Sequence, residues 1–201
     1  LATDVQLVNL ALLRIGVKAL ITSLSDTSTE GVVALNTYAT VRDSLLSRAW
    51  WPFATKRAAL SLAAGVTRSG WQYAYALPND CLAPQYLFTG TRRPASGQRV
   101  PFQVEATGAF PAALPVLLTD AKDAELVYTA SVSAGAFDAL FADALAWALA
   151  AEFTLSLAVQ PAVAQRALQM AEVSFLRAVT AAHRASEPDV PPESEFILAR
   201  G

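Results

Sequence analysis

The sequence predicts an α+β chain. An antiparallel helical bundle of about four helices is expected, with an inserted small antiparallel β-sheet region and an extended C-terminal tail. Three observations carry this. Apolar residues recur at helical spacing near both ends of the chain. Between those stretches the period changes to two, as in Trp71, Tyr73, Tyr75 and Leu77. Residues 186–195 hold three prolines and three glutamates, a composition that resists packing. The expected segments are 1–54 with 133–185 for the bundle, 55–132 for the β-rich insertion and 186–201 for the tail.

The first helix is announced by Thr3-Asp4-Val5-Gln6, a capping box with Thr3 as N-cap. Val5, Val8, Leu12 and Ile15 form its stripe, and Gly16 ends it. A second box, Thr27-Ser28-Thr29-Glu30, opens a helix whose stripe is Ala34, Tyr38, Val41, Leu45 and Ala49. A loop starting at Gly16 predicts that these two helices pack antiparallel. The second ends in Trp50-Trp51-Pro52-Phe53, where proline forbids continuation and large rings enter a core. With Trp71 and Tyr75, these four residues form the expected structural junction.

Strands are expected at Lys56–Leu62, Trp71–Leu77, Gln85–Thr89, Arg99–Glu105 and Glu125–Thr129. The prolines at 101, 111 and 115 predict edge or irregular segments around them. Beyond Gly135 the period is helical again. Phe137 to Val159 is apolar almost all round and reads as a central buried helix. Pro161 opens the last helix in its favoured first-turn position. Its predicted inner stripe is Ala164, Leu168, Ala171, Phe175, Val179 and Ala182, opposed by Arg166, Gln169, Arg177, Thr180 and Arg184.

Apolar residues make up 54% of the 201 and charged residues 16%, against roughly 25% charged in ordinary globular domains. Few charges remain to cover a monomer, so the surplus goes into a membrane or against other proteins. The membrane reading fails: the run Ala144–Val159 is alanine-rich, holds Glu152 and stops before Pro161. Leu1-Ala2-Thr3-Asp4 has no basic n-region, so no signal peptide is expected, and the start without methionine reads as trimmed. A net charge of −2 gives no electrostatic footprint for nucleic acid.

Chemistry is sparse. His183, the single histidine, falls in the last helical turn and reads as a solvent-facing residue near the helix dipole. Cys81 reads as a small core hydrophobe, and one cysteine excludes an internal disulfide. Asp80, Asp120 and Asp123 sit in turn-like contexts, where aspartate bonds nearby backbone. Gly65 to Gly70 has neither Walker nor Rossmann spacing, and no cofactor or metal is expected. Arg92, Arg93 and Arg99 bracket a loop tip that reads as solvated, with phosphate or an acidic partner as the alternative contact. The tail is different. Glu195, Phe196, Ile197, Leu198 and Arg200 form an apolar plug after a proline-rich arm, and they are expected to dock on a partner.

The order of elements resembles the tail tubular protein A family, the head-to-tail adaptors of short-tailed bacteriophages. The likeness rests on Leu13-Arg14-Ile15-Gly16, Val41-Arg42-Asp43-Ser44-Leu45-Leu46 and Trp50-Trp51-Pro52-Phe53-Ala54. It continues through Tyr75-Ala76-Leu77-Pro78-Asn79-Asp80-Cys81-Leu82, Glu125-Leu126-Val127-Tyr128-Thr129 and Phe137-Asp138, and closes on Leu198-Ala199-Arg200. Residues 87–123 have no counterpart in it. The resemblance implies a non-enzymatic virion protein at the head–tail junction, assembled in the host cytoplasm. It implies a homo-oligomeric, twelve-fold ring beneath the portal protein that extends the DNA channel and attaches the tail nozzle protein. Genome DNA would pass through without sequence-specific binding, which suits a mildly acidic chain. The portal is the first expected receiver of the tail plug and a neighbouring adaptor the second. Two rival expectations are a virion-associated cell-wall hydrolase using scattered carboxylates such as Asp80 and Asp120, and a soluble helical ligand-binding protein with a cavity near Trp147.

Overall fold

The computed structural model describes residues 2–88, 99–108 and 113–185. Helix α1 (Asp4–Arg14) begins with the reciprocal cap its sequence predicts: Thr3 Oγ1 accepts the Gln6 N–H and the Gln6 side chain accepts the Thr3 N–H. At its end Gly16 adopts a φ of +84°. Its N–H then reaches the Leu13 carbonyl and that of Val17 the Leu12 carbonyl, a Schellman closure.

Helix α2 (Thr29–Ser47) departs from the expected box. Ser28, not Thr27, is the cap, and its Oγ accepts the Gly31 N–H. The third helical residue is therefore a glycine, and the reason is room: a Cβ at Gly31 would lie 2.3 Å from the Asp26 carbonyl oxygen. The Asp26 carboxylate accepts the Ser28 and Thr22 N–H groups, which hold its pKa below the usual carboxylate range.

Helix α3 (Ala139–Ser156) is capped by Asp138, whose Oδ1 accepts the Phe141 N–H. Helix α4 (Pro161–Arg184) starts on its proline. Among the described residues α3 alone is long and apolar enough to cross a membrane by length and composition. Packing against α1, α2 and α4 accounts for that composition. Contrary to the expected antiparallel pairing, α1 and α2 each pack on α3 and not along one another. They meet where the Tyr38 hydroxyl donates to Asp4 Oδ1.

The inner face of α4 also differs from the predicted stripe. Ala167, Ser174, Phe175, Ala178 and Ala182 are buried, while Leu168 is 59% and Leu176 60% exposed. Small side chains let α4 lie close on α3, and that rotation carries the leucines outward. Trp51 fills the space beyond them, fully buried, with its Nε1–H donated to the Leu45 carbonyl. Phe53, Phe137, Phe141 and Phe175 surround it or each other, ring to ring.

These helices, Leu1–Lys56 and Thr129–Ala185, make one compact unit, and a second is built around Arg57–Tyr128. The strands are β1 (Thr55–Ala59), β2 (Ser61–Leu62), β3 (Tyr73–Ala76), β4 (Cys81–Phe88), β5 (Phe102–Thr107), β6 (Leu114–Thr119) and β7 (Glu125–Ala130). They form two antiparallel sheets, ordered β1-β7-β4 and β2-β3-β6-β5. The expectation of one small sheet region is thus corrected: among the described residues there are seven strands, and roughly 22% of those residues lie in sheets.

The expected strand Lys56–Leu62 is split into β1 and β2, which belong to different sheets, and two prolines explain the rest of the shortfall. Pro84 lies within β4, which tolerates it because β4 is an edge strand, so the strand starts before Gln85. Pro115 lies within β6, the strand with no counterpart among the expected ones. Its pairing with β3 runs only from Val116 to Thr119, so at Pro115 the ladder has β5 as its single neighbour, with Ala106 opposite.

Trp71 is displaced as well. The alternation puts it on the face of Tyr73 and Tyr75, whereas β3 starts at Tyr73 and Trp71 packs over Ala74, Val116 and Leu118 on the other face. Gly70, at φ +89°, makes that departure. Both faces of the β3–β6 pair are therefore covered, since Tyr75 and Leu117 are also buried.

Candidate assembly surface

The residues with catalytic potential are engaged structurally. Asp80 Oδ1 accepts the Tyr128 hydroxyl at 2.9 Å. Partial burial and that carboxylate raise the Tyr128 phenol to about 12. Cys81 opens β4 next to Asp80; burial first, then the aspartate charge, pushes its thiol up to about 11. Asp120 accepts the Gln72 N–H, and Asp123 turns the chain at a φ of 53°. His183 lies exposed in the last turn of α4. No group of three or more His, Cys, Asp or Glu placed to hold a metal ion occurs among the described residues.

The sequence-selected residues divide three ways. Trp51 is buried at the end of the helical unit's core, with Trp50 and Phe53 half-buried and Pro52 exposed; Thr55 Oγ1 accepts the Trp50 indole N–H and donates to the Trp51 carbonyl. Trp71 and Tyr75 belong to the four-stranded sheet, with the Tyr75 hydroxyl donated to the Ala121 carbonyl. Arg99 stands over the Tyr86 ring, 5.7 Å from its centroid. Arg92, Arg93, Glu195, Phe196, Ile197, Leu198 and Arg200 lie outside the described residues.

A polar network in the helical unit has no sequence signature. The Arg42 guanidinium donates to Asp43 Oδ1 at 2.8 Å and to Ser131 Oγ at 2.9 Å, while Ser131 donates to the same Asp43 oxygen. Asp4 Oδ1 takes the Ala134 N–H beside the Tyr38 hydroxyl. Arg42 is held above its usual pKa, first by its bond to Asp43. The Arg14 guanidinium pairs with Asp143 and lies 4.3 Å from the Trp147 ring centroid. Partners 88 to 130 residues apart meet here, which local periodicity cannot show.

The surface that stands out is apolar. On α1, Leu13 is 53% exposed and Leu10 lines a hollow of about 430 Å³ with Leu7, Phe137, Ala139 and Ala142. On α4, Leu168, Val173 and Leu176 are exposed, as is Leu140 in the first turn of α3. Both α1 and α4 pack chiefly on α3. The sequence carried one signal for the α4 face: Ala167, Ser174 and Ala178 repeat at helical spacing opposite the leucines. No protein-family model matches the chain, and no curated protein matches it.

Proposed function

We propose that this chain is a structural virion subunit, a head-to-tail adaptor that forms a ring below the portal, extends the DNA channel and attaches the tail nozzle. The observation that carries the reading is the outward turn of Leu168 on α4, paired with a second apolar surface on α1. Two different apolar faces on separate helices suit a heterologous contact, copy to copy, which closes into a ring when the rotation allows. The low charge content fits flanks buried in that way, and a sequence pI of 5.4 suits a conduit that DNA traverses without binding. A hydrolase reading draws less support, because Asp80 and Asp120 are each occupied by a hydrogen bond from a residue distant in sequence, the Tyr128 hydroxyl and the Gln72 N–H.

The test is a pair of single-flank changes, Leu13→Glu and Leu168→Glu, followed by light scattering and electron microscopy. The unaltered chain gives rings or larger assemblies; each variant alone stays monomeric. A mixture of the two restores one intact contact and yields dimers. A chain that is monomeric at every concentration, or one in which either change leaves assembly intact, sinks the reading.

A further inference from the structure

A third apolar surface on the helical unit lies beyond Leu168 and is not used by the contact just described. It lies along the C-terminal half of α4, where Val173, Leu176, Thr180 and Arg184 follow one another at helical spacing. With Leu140 and Ala181 they line a hollow of about 500 Å³, rimmed by Arg177 and Arg184. An adjoining hollow of about 360 Å³ shares Leu140 and Ala181 and adds Pro52, Phe53 and Ala185. The two make one apolar groove with a basic edge. Neither arginine has an ion-pair partner among the described residues.

We propose that this groove receives residues 193–198 of a neighbouring copy of the chain, Phe196, Ile197 and Leu198 in the apolar trough and Glu193 and Glu195 against Arg177 and Arg184. Charge chooses the occupant. The segment from Glu187 to Glu195 holds four carboxylates and no base, and the apolar triplet follows at once. Its pattern is acidic then apolar, the complement of a greasy trough with arginines on its rim.

Reach decides between copies. Phe196 follows Ala185 by eleven residues, which span at most ~36 Å when extended. That compares with the ~30 Å width of three helices packed at about 10 Å. Ala185 already lines the groove, so entry into its own copy requires the chain to double back within a stretch holding Pro188, Pro191 and Pro192. Proline-rich spacers disfavour such a reversal, which makes the next copy the proposed receiver. The inference rests on the ring reading only in needing a second copy beside the first.

The test places a photo-reactive benzoyl-phenylalanine at position 196 of the full chain and mixes ¹⁵N-labelled with unlabelled copies before irradiation. Cross-links to peptides 167–177 and 178–184 are expected, in pairs of mixed isotope. The combined R177E and R184E changes lower their yield at least fivefold, and adding E193K with E195K restores it. Cross-links confined to one copy, or to surfaces away from α3 and α4, overturn the inference, as does a yield indifferent to the charge changes. Light scattering on the same samples separates the two failures. Intact rings with cross-links elsewhere remove the groove assignment alone, whereas monomers at every concentration remove both.

Discussion

The indole of Trp51 meets the ring of Phe141 edge to face, with centroids 4.8 Å apart and planes at 71°. Phe141 is in the first turn of α3 and Trp51 follows α2, so this one contact fastens the end of the second helix to the start of the third. Trp51 also meets Phe175 of α4 at 6.1 Å. Truncating it opens a cavity against two helices at once. Trp51→Ala is expected to cost about 3–5 kcal/mol in urea unfolding, with Trp51→Phe retaining part of it. A loss under 1 kcal/mol would mean the rings are not the keystone of this unit.

Gly31 is required by its neighbour and not by its backbone angles. A Cβ there meets the Asp26 backbone oxygen, which belongs to the turn that caps α2. Gly31→Ala is expected to destabilise by about 1–3 kcal/mol. Gly135 has nothing within 4 Å of its virtual Cβ, so Gly135→Ala is the control and changes little.

Ala158 adopts a φ of 50° just after α3 ends at its C-cap Leu157. That is the left-handed position where glycine is usual and a Cβ is strained. Ala158→Gly is expected to raise stability by about 0.5–1 kcal/mol, read as a higher denaturant midpoint at unchanged slope.

Cys81 is expected to be a poor nucleophile near neutral pH. Its thiol is raised from 9.0 to about 11 by burial and by Asp80, so it stays protonated where a free thiol begins to ionise. Two units of pKa lower the thiolate fraction on the order of a hundredfold. Iodoacetamide labelling at pH 8 should therefore be slower by that order than in the denatured chain, and should accelerate up to pH 11. Equal rates would show an open, ordinary cysteine.

Local signals were legible where the chemistry is local. The Thr3–Gln6 cap, the Gly16 stop, the Pro161 start and the apolar α3 each depend on residues within a turn of one another. What escaped depended on partners distant in sequence. Leu168 fits a helical stripe as well as Ala167 does, and only the close approach of α3 selects the smaller residue. Pro115 argues against a strand until the register shows that the pairing of β6 with β3 stops at Val116. The Asp4–Tyr38 and Arg42–Asp43–Ser131 bonds needed the fold before they could be seen. The exposed Leu168 was hidden by the same misassigned face.

The tryptophans are spread between the two units, and this has an experimental use. Trp51 lies wholly buried in the helical unit, while Trp71 packs over Val116 and Leu118 in the four-stranded sheet. Fluorescence from versions retaining only one of these indoles would follow each unit's melting separately. Superimposable emission curves would mean a single cooperative transition, and staggered ones would give the order in which the units let go.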